Sequence, residues 1–173
     1  MNVHVTKIAV AATAMFLSAS TWAATDTANL AVSATVVNVC AIGPGTLAFG
    51  SIGLGVNSGA GTLNPVNHDA DSGSTISVVC TNGTTAAITA GFGANALLTV
   101  RRMISGGADF LTYELYTDAG RLTTLNAINA VSYTGTGLVT SQTVYGRITG
   151  AQLAAAKKGS YTDTVAMTIT YTP

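Results

Sequence analysis

The clearest pattern in the chain lies at its C-terminal end. From Tyr161 the odd positions read Tyr161, Asp163, Val165, Met167, Ile169 and Tyr171, and the even ones Thr162, Thr164, Ala166, Thr168, Thr170 and Thr172. Apart from Asp163 this is strict alternation of large apolar residues with small or hydroxyl-bearing ones, which predicts a strand with one buried face. Only Thr172 and Pro173 follow, so no later strand is expected on its second edge, and the sheet is expected to be one strand short. A second period-two ribbon stands near the other end, with Ala28, Leu30, Val32, Ala34 and Val36 on one parity and Asn29, Ala31, Ser33 and Thr35 on the other. Such a segment buries its apolar face by adding to a sheet edge of another molecule, or by folding back as the first strand of its own domain. Alternation alone favours neither. A contact of the first kind joins two different surfaces and does not close, so it generates head-to-tail polymers.

Helical periodicity is nearly absent between these ribbons, and short strand patterns recur with turn residues at the spacing of a sandwich. Strand patterns cover 30–40, 46–49, 75–81, 84–92, 97–104, 110–117 and 142–148. Asn82-Gly83 predicts a hairpin between 75–81 and 84–92. Ser51 to Ser72, rich in Gly, Asn and Ser, reads as a long surface loop. Asp118-Ala119-Gly120 predicts a turn with Gly120 as its left-handed residue, and Arg101-Arg102 are expected at a rim. Gly150 to Lys158 is the one helical turn expected, ended by Gly159. Neither a repeat nor a second domain is expected.

The N-terminal residues change the picture of where the chain works. Met1 to Lys7 is mildly basic, Ile8 to Ala19 is apolar, and Thr21-Trp22-Ala23 offers small residues at the two positions a signal peptidase inspects. Residues 1–23 are therefore expected to be a signal peptide, since about a dozen apolar residues are too few to span a bilayer. In an exported chain Cys40 and Cys80 most simply form one disulfide, and their spacing is far from the Cys-x-x-Cys of a redox pair. Seven basic and seven acidic residues leave no net charge, so the footprint of a nucleic-acid binder is missing. Charged residues are only 8% of the chain and hydrophobic ones 48%, a balance that fits a surface covered by copies of itself.

Candidate chemistry is thin. His68 is the only histidine after the signal segment, which leaves a Ser-His-Asp triad little to build on. Asn67-His68-Asp69-Ala70-Asp71 offers oxygen ligands for a cation without the Gly and Glu spacing of a calcium loop, and a solvated loop explains it as well. Glu114 and Asp118 form a carboxylate pair on paper, on a strand and its following turn where exposure is the simpler account. Gly43-x-Gly45 and Gly53-x-Gly55 precede no helix, so a phosphate cradle is not expected. No enzyme, cofactor or metal is expected.

An ordered set of short motifs now bears on function. Leu47-Ala48-Phe49-Gly50 follows the first Cys, then come Ile76-Ser77-Val78-Val79-Cys80-Thr81-Asn82-Gly83 and Tyr113-Glu114-Leu115-Tyr116-Thr117-Asp118. Val144-Tyr145-Gly146-Arg147-Ile148 with Gln152 and Gly159-Ser160-Tyr161-Thr162-Asp163-Thr164-Val165 complete it. In this the chain resembles the spore coat protein U domain of archaic (Csu-type) chaperone–usher pilus subunits. The resemblance implies an all-β fold, an incomplete immunoglobulin-like β-sandwich lacking its final strand and completed by donor-strand exchange. It implies a donor-strand segment over 24–38 and a sandwich domain over 39–173. Ala28, Leu30, Val32, Ala34 and Val36 would be the donor residues, and Val165, Met167, Ile169 and Tyr171 the acceptor strand beside the groove. The implied partners are a periplasmic pilus chaperone, an outer-membrane usher and neighbouring copies of itself or related pilins. The expected role is that of a structural subunit in a cell-surface pilus used in adhesion and biofilm formation, in the shaft rather than at the tip. A self-folding secreted spore-coat or matrix protein is the alternative, and a carbohydrate- or metal-binding module built on the Ser51 to Ser72 loop a third reading.

Overall fold

The computed structural model describes residues 25–52, 55–56, 63–64, 68–106 and 108–173. The expected signal peptide over 1–23 lies outside the described residues. The chain divides into two units, Met1–Thr35 and Val36–Pro173. In the first, residues 25–35 carry no strand and every side chain is exposed.

The second unit is built from strands β1 (Cys40–Ile42), β2 (Gly55–Val56), β3 (Leu63–Asn64), β4 (Ala70–Cys80), β5 (Thr85–Ala90) and β6 (Arg102–Ser105). They are followed by β7 (Asp109–Thr112), β8 (Glu114–Tyr116), β9 (Val131–Thr134), β10 (Thr140–Ile148), helix α1 (Gly150–Ala155), β11 (Tyr161–Thr162) and β12 (Met167–Tyr171). One sheet has the order β1-β4-β10-β8. Facing strands form the ladders β12-β5-β9 and β11-β6-β7, while β2 and β3 pair only with each other. Alternation decides what goes inside. Ile76, Val78 and Cys80 of β4 and Val144 and Ile148 of β10 meet Ala86, Ile88 and Ala90 of β5 in one buried cluster. This is an all-β, immunoglobulin-like sandwich, incomplete at β12, which ladders with β5 on one side only.

Several elements differ from the sequence pattern, each for a local reason. Asn82-Gly83 makes no hairpin: β4 pairs with β1 and β10, and β5 with β12 and β9, so the turn carries the chain from one sheet to the other. Gly83 takes φ of 83° there, and its N–H donates to Gly135 O at 2.9 Å, away from any β4–β5 ladder. The 46–49 pattern is no strand, because the carbonyls of Thr46 and Ala48 are taken by the hydroxyls of Ser74 and Ser72. β4 begins at Ala70, inside the expected loop, in a nine-pair register with β10. The 110–117 ribbon breaks at Tyr113, giving β7 to one sheet and β8 to the other. The left-handed residue after Asp118 is Arg121 (φ 56°) and not Gly120, because Asp118 accepts from the N–H groups of Leu122 and Thr123 and holds the turn open there. Helix α1 stops at Ala155, four residues before Gly159, since Ala156 is already extended (ψ 138°). The Tyr161–Tyr171 ribbon is interrupted over 163–166, although its odd side chains stay half-buried and its even ones exposed throughout.

Two side-chain links hold the sandwich together. Cys40 and Cys80 form the expected disulfide, joining β1 to β4 at a register pair. Arg101, expected at a rim, is only 1% exposed. Burying a guanidinium is tolerable only if its donors are used. Here Nε and Nη2 donate to Gly91 O at 2.9 and 2.7 Å, Nη2 also reaches Leu125 O at 2.7 Å, and Nη1 pairs with the Glu114 carboxylate. Phe92 lies under the guanidinium, 5.4 Å from carbon to ring centre. Arg101→Met is therefore expected to destabilise the domain by about 3 kcal/mol, because the carbonyls lose their donors and Glu114 its partner. Urea unfolding of the two proteins measures it, and a change near zero would refute the staple. Cys40→Ser is expected to cost about 4 kcal/mol through the freed loop-closure entropy, read in the same experiment and in periplasmic yield.

Candidate functional site: an apolar groove beside the last strand

Along residues 161–167, the edge of the last ribbon that faces away from β6 and β5 borders a groove of about 640 Å³. One wall is Ile42 to Leu47 with Phe49, and the other is Tyr161 to Val165 with Met167. Ile76, Met103, Tyr113, Leu115 and Val144 make its floor. The walls come from opposite sheets, β1 with the segment after it on one side and the last ribbon on the other, and no hydrogen-bond ladder joins β1 to β12. Ile42, Leu47, Phe49, Tyr161, Val165, Met167, Ile169 and Tyr171 are each only partly buried against the core. A row of half-buried apolar side chains beside an unpaired strand edge is a surface shaped for one more strand.

Asp163, the one polar residue on the inward parity, fixes the upper wall. Its Oδ2 accepts from the Tyr113 hydroxyl at 2.7 Å, and its Oδ1 from the backbone and side-chain nitrogens of Asn95 at 3.1 and 3.0 Å. Gly93, at φ 94°, lets the carboxylate approach: a Cβ there would lie 2.0 Å from Oδ2. The carbonyls of Thr164 and Ala166 accept from Ala94 and Gly91 N–H at 2.9 Å each, so the interrupted stretch is still held along its inner edge. Burial pushes the Tyr113 phenol pKa up, and the hydrogen bond and charge of Asp163 push it further the same way.

The residues singled out from sequence fall into place unevenly. Val165 and Met167 line the groove, and Ile169 and Tyr171 continue their face against the core. Leu30 and Val32 are 87% and 85% exposed, and Ala28, Ala34 and Val36 are exposed too. Glu114 is committed to Arg101 and Asp118 to its own turn, where the backbone N–H groups of Thr123 and Leu122 lower its pKa. Asp69 and Asp71 face Arg147 (3.3 and 2.7 Å), and Arg121 stands 3.1 Å from Asp71. The hydrogen bond from Arg147 holds the Asp71 pKa down. These carboxylates serve ion pairs. Among the described residues no three His, Cys, Asp or Glu side chains converge on one point. Sequence reasoning missed the opposite wall, where the alternation of Leu47 and Phe49 was the available signal, and it missed Tyr113 as the anchor of Asp163.

The sequence profile of the Spore Coat Protein U domain matches residues 26–168. The chain belongs to this family. Protein U of Myxococcus xanthus is 36% identical to this Spore Coat Protein U domain protein over 163 residues, 86% of this chain and 87% of that one. The pre-assembly complex of the chaperone CsuC with the tip adhesion subunit CsuE, from archaic chaperone-usher Csu pili of Acinetobacter baumannii, has a chain that aligns at TM-score 0.47 and 17% identity. That alignment covers 78% of this chain and 40% of that one.

The Asp163–Tyr113 contact gives a pH signature. A phenol whose pKa is raised on folding contributes stability that is complete below its unfolded value, near 10, and is lost as pH rises through the folded value. Stability is expected to fall from about pH 10 upward, and Tyr113→Phe to flatten that fall while costing about 1.5 kcal/mol at pH 8. Denaturant titrations at pH 8 and at pH 11 read both. Identical alkaline slopes for the two proteins would contradict it.

Proposed function

We propose that this protein is a structural subunit of a chaperone–usher surface pilus, exported to the periplasm and polymerised by donor-strand insertion. The observation that carries the reading is the groove beside residues 161–167 of the last ribbon, whose outer strand edge is free of any ladder among the described residues. Ala28, Leu30, Val32, Ala34 and Val36 are the donor residues, inserted into the groove of the next copy or of a related pilin. Val165, Met167, Ile169 and Tyr171 form the acceptor strand. Alternate donor side chains enter the groove, and the donor backbone bonds to the open edge. Before assembly a periplasmic chaperone covers the same groove, which would otherwise expose apolar surface and a strand edge, and an outer-membrane usher is where the exchange takes place. Adhesion and biofilm formation are the functions of the resulting fibre. Membership of the Spore Coat Protein U domain family also supports a secreted coat protein, but the fully exposed alternating segment 28–36 favours the polymer.

Deletion of residues 25–36 is expected to leave a folded, chaperone-bound subunit that forms no fibres. A synthetic peptide of residues 27–37 should raise its melting temperature, because a ligand that binds only the folded state stabilises it by mass action. The peptide with Leu30→Asp and Val32→Asp should not. Fibres from the deletion variant, or no response to the wild-type peptide, would overturn the reading.

A further inference from the structure

We infer that the end of the sandwich around the root of the donor segment is a docking face for the neighbouring copy of this chain, separate from the groove itself. The inference rests on the donor-strand reading and adds a second contact to it. Only Val37, Asn38 and Val39 separate the last donor residue, Val36, from Cys40. The four steps from Val36 to Cys40 span at most about 14 Å, so a domain that holds Val36 in its groove must stand against this end of the domain that supplied it.

The short tether is also fastened. The Thr81 hydroxyl donates to Val37 O at 3.0 Å and accepts from Val39 N–H at 3.2 Å, while Thr81 N–H donates to Val39 O at 2.9 Å. The Asn38 amide donates to Thr172 O at 3.0 Å, and its oxygen accepts from the Thr84 hydroxyl at 3.0 Å. One side chain thus ties the donor root to the end of the last strand and to the start of β5. The tether leaves in a fixed direction, so the captured neighbour is held at one angle.

The surface it is held against is largely apolar and uncharged, with Thr81 its polar member. Ala41 stands opposite Val79 in the β1–β4 register, and Val139 precedes the Thr140–Val78 pair of β4 and β10, which continues the same row. Val39, Ala41, Val79 and Gly137 line a shallow depression there. Leu138 and Val139 beside it are 71% and 69% exposed. No charged residue occurs between Ser72 and Val100 or between Leu122 and Gly146, so this end lacks the charged cover that keeps other faces apart.

The test compares fibres of the full-length chain with those of Leu138→Asp/Val139→Asp, using Ile128→Asp, a still more exposed aliphatic residue in the turn before β9, as control. The double variant is expected to match wild type in subunit melting and in response to the 27–37 peptide, and to give severalfold shorter fibres that dissociate at lower temperature. Leu138→Ser/Val139→Thr, milder at the fold level, should show the same trend in case the aspartates unfold the subunit. Wild-type fibre length and heat resistance in both double variants would overturn the docking face alone, leaving donor insertion intact. An equal loss in Ile128→Asp would also overturn it. Absence of polymer from the wild-type chain would overturn both readings.

Discussion

A strand has two hydrogen-bonding edges, and the last ribbon of this fold satisfies only one of them. β11 pairs with β6 and β12 with β5, while the outer edge carries no ladder and borders a groove along residues 161–167. Much of the remaining architecture keeps that groove open and in shape. The buried cluster of β4, β5 and β10 gives it a floor. The Asp163 contacts hold one wall, and the serine hydroxyls of β4 hold the segment that forms the other. Two facing walls with apolar side chains between them tend to collapse on each other. Here each wall is fastened outward, by polar links to elements already fixed in the core.

Much of the sandwich was legible because its strands obey period two. The inward faces of β4 (Ile76, Val78, Cys80) and of the last ribbon are those the alternation names, and the disulfide follows from two cysteines in an exported chain. What could not be read depends on partners distant in sequence. Asn-Gly is a hairpin signal, yet Gly83 serves a crossing between sheets, because the pairing of β4 was decided by β1 and β10, as many as 78 positions away from Ala70 at Ile148. Arg101 looked like a rim residue because nothing local shows that Gly91, Glu114 and Leu125 will converge on it. Asp163 broke the apolar parity in the sequence and proved to be the anchor of it, since Tyr113 and Asn95 supply its three hydrogen bonds. The groove itself was foreseen from one wall only: alternation shows which face of a strand is apolar, but not which other segment will stand across from it.

The sparse charges are also organised. Asp69, Asp71, Arg121 and Arg147 gather around the start of β4 and the end of β10, and Asp109 with Lys157 sits near β7 and α1. The donor root and the turns at 80–83 and 135–139 carry none. Apart from the buried Arg101–Glu114 pair, the ion pairs thus join the start of β4 to its surroundings and β7 to the segment after α1.

The disulfide lies at the boundary between the tether and the domain, and this gives it a mechanical meaning. Once the hydrogen bonds of Val37, Asn38 and Val39 give way, a pull on the tether reaches Cys40, the first residue of β1, a strand of three residues that is itself easily peeled. The covalent link sends that load on to Cys80, at the end of the eleven-residue β4 in the middle of its sheet. Tension thus bypasses this short strand and is shared along the nine-pair ladder of β4 and β10.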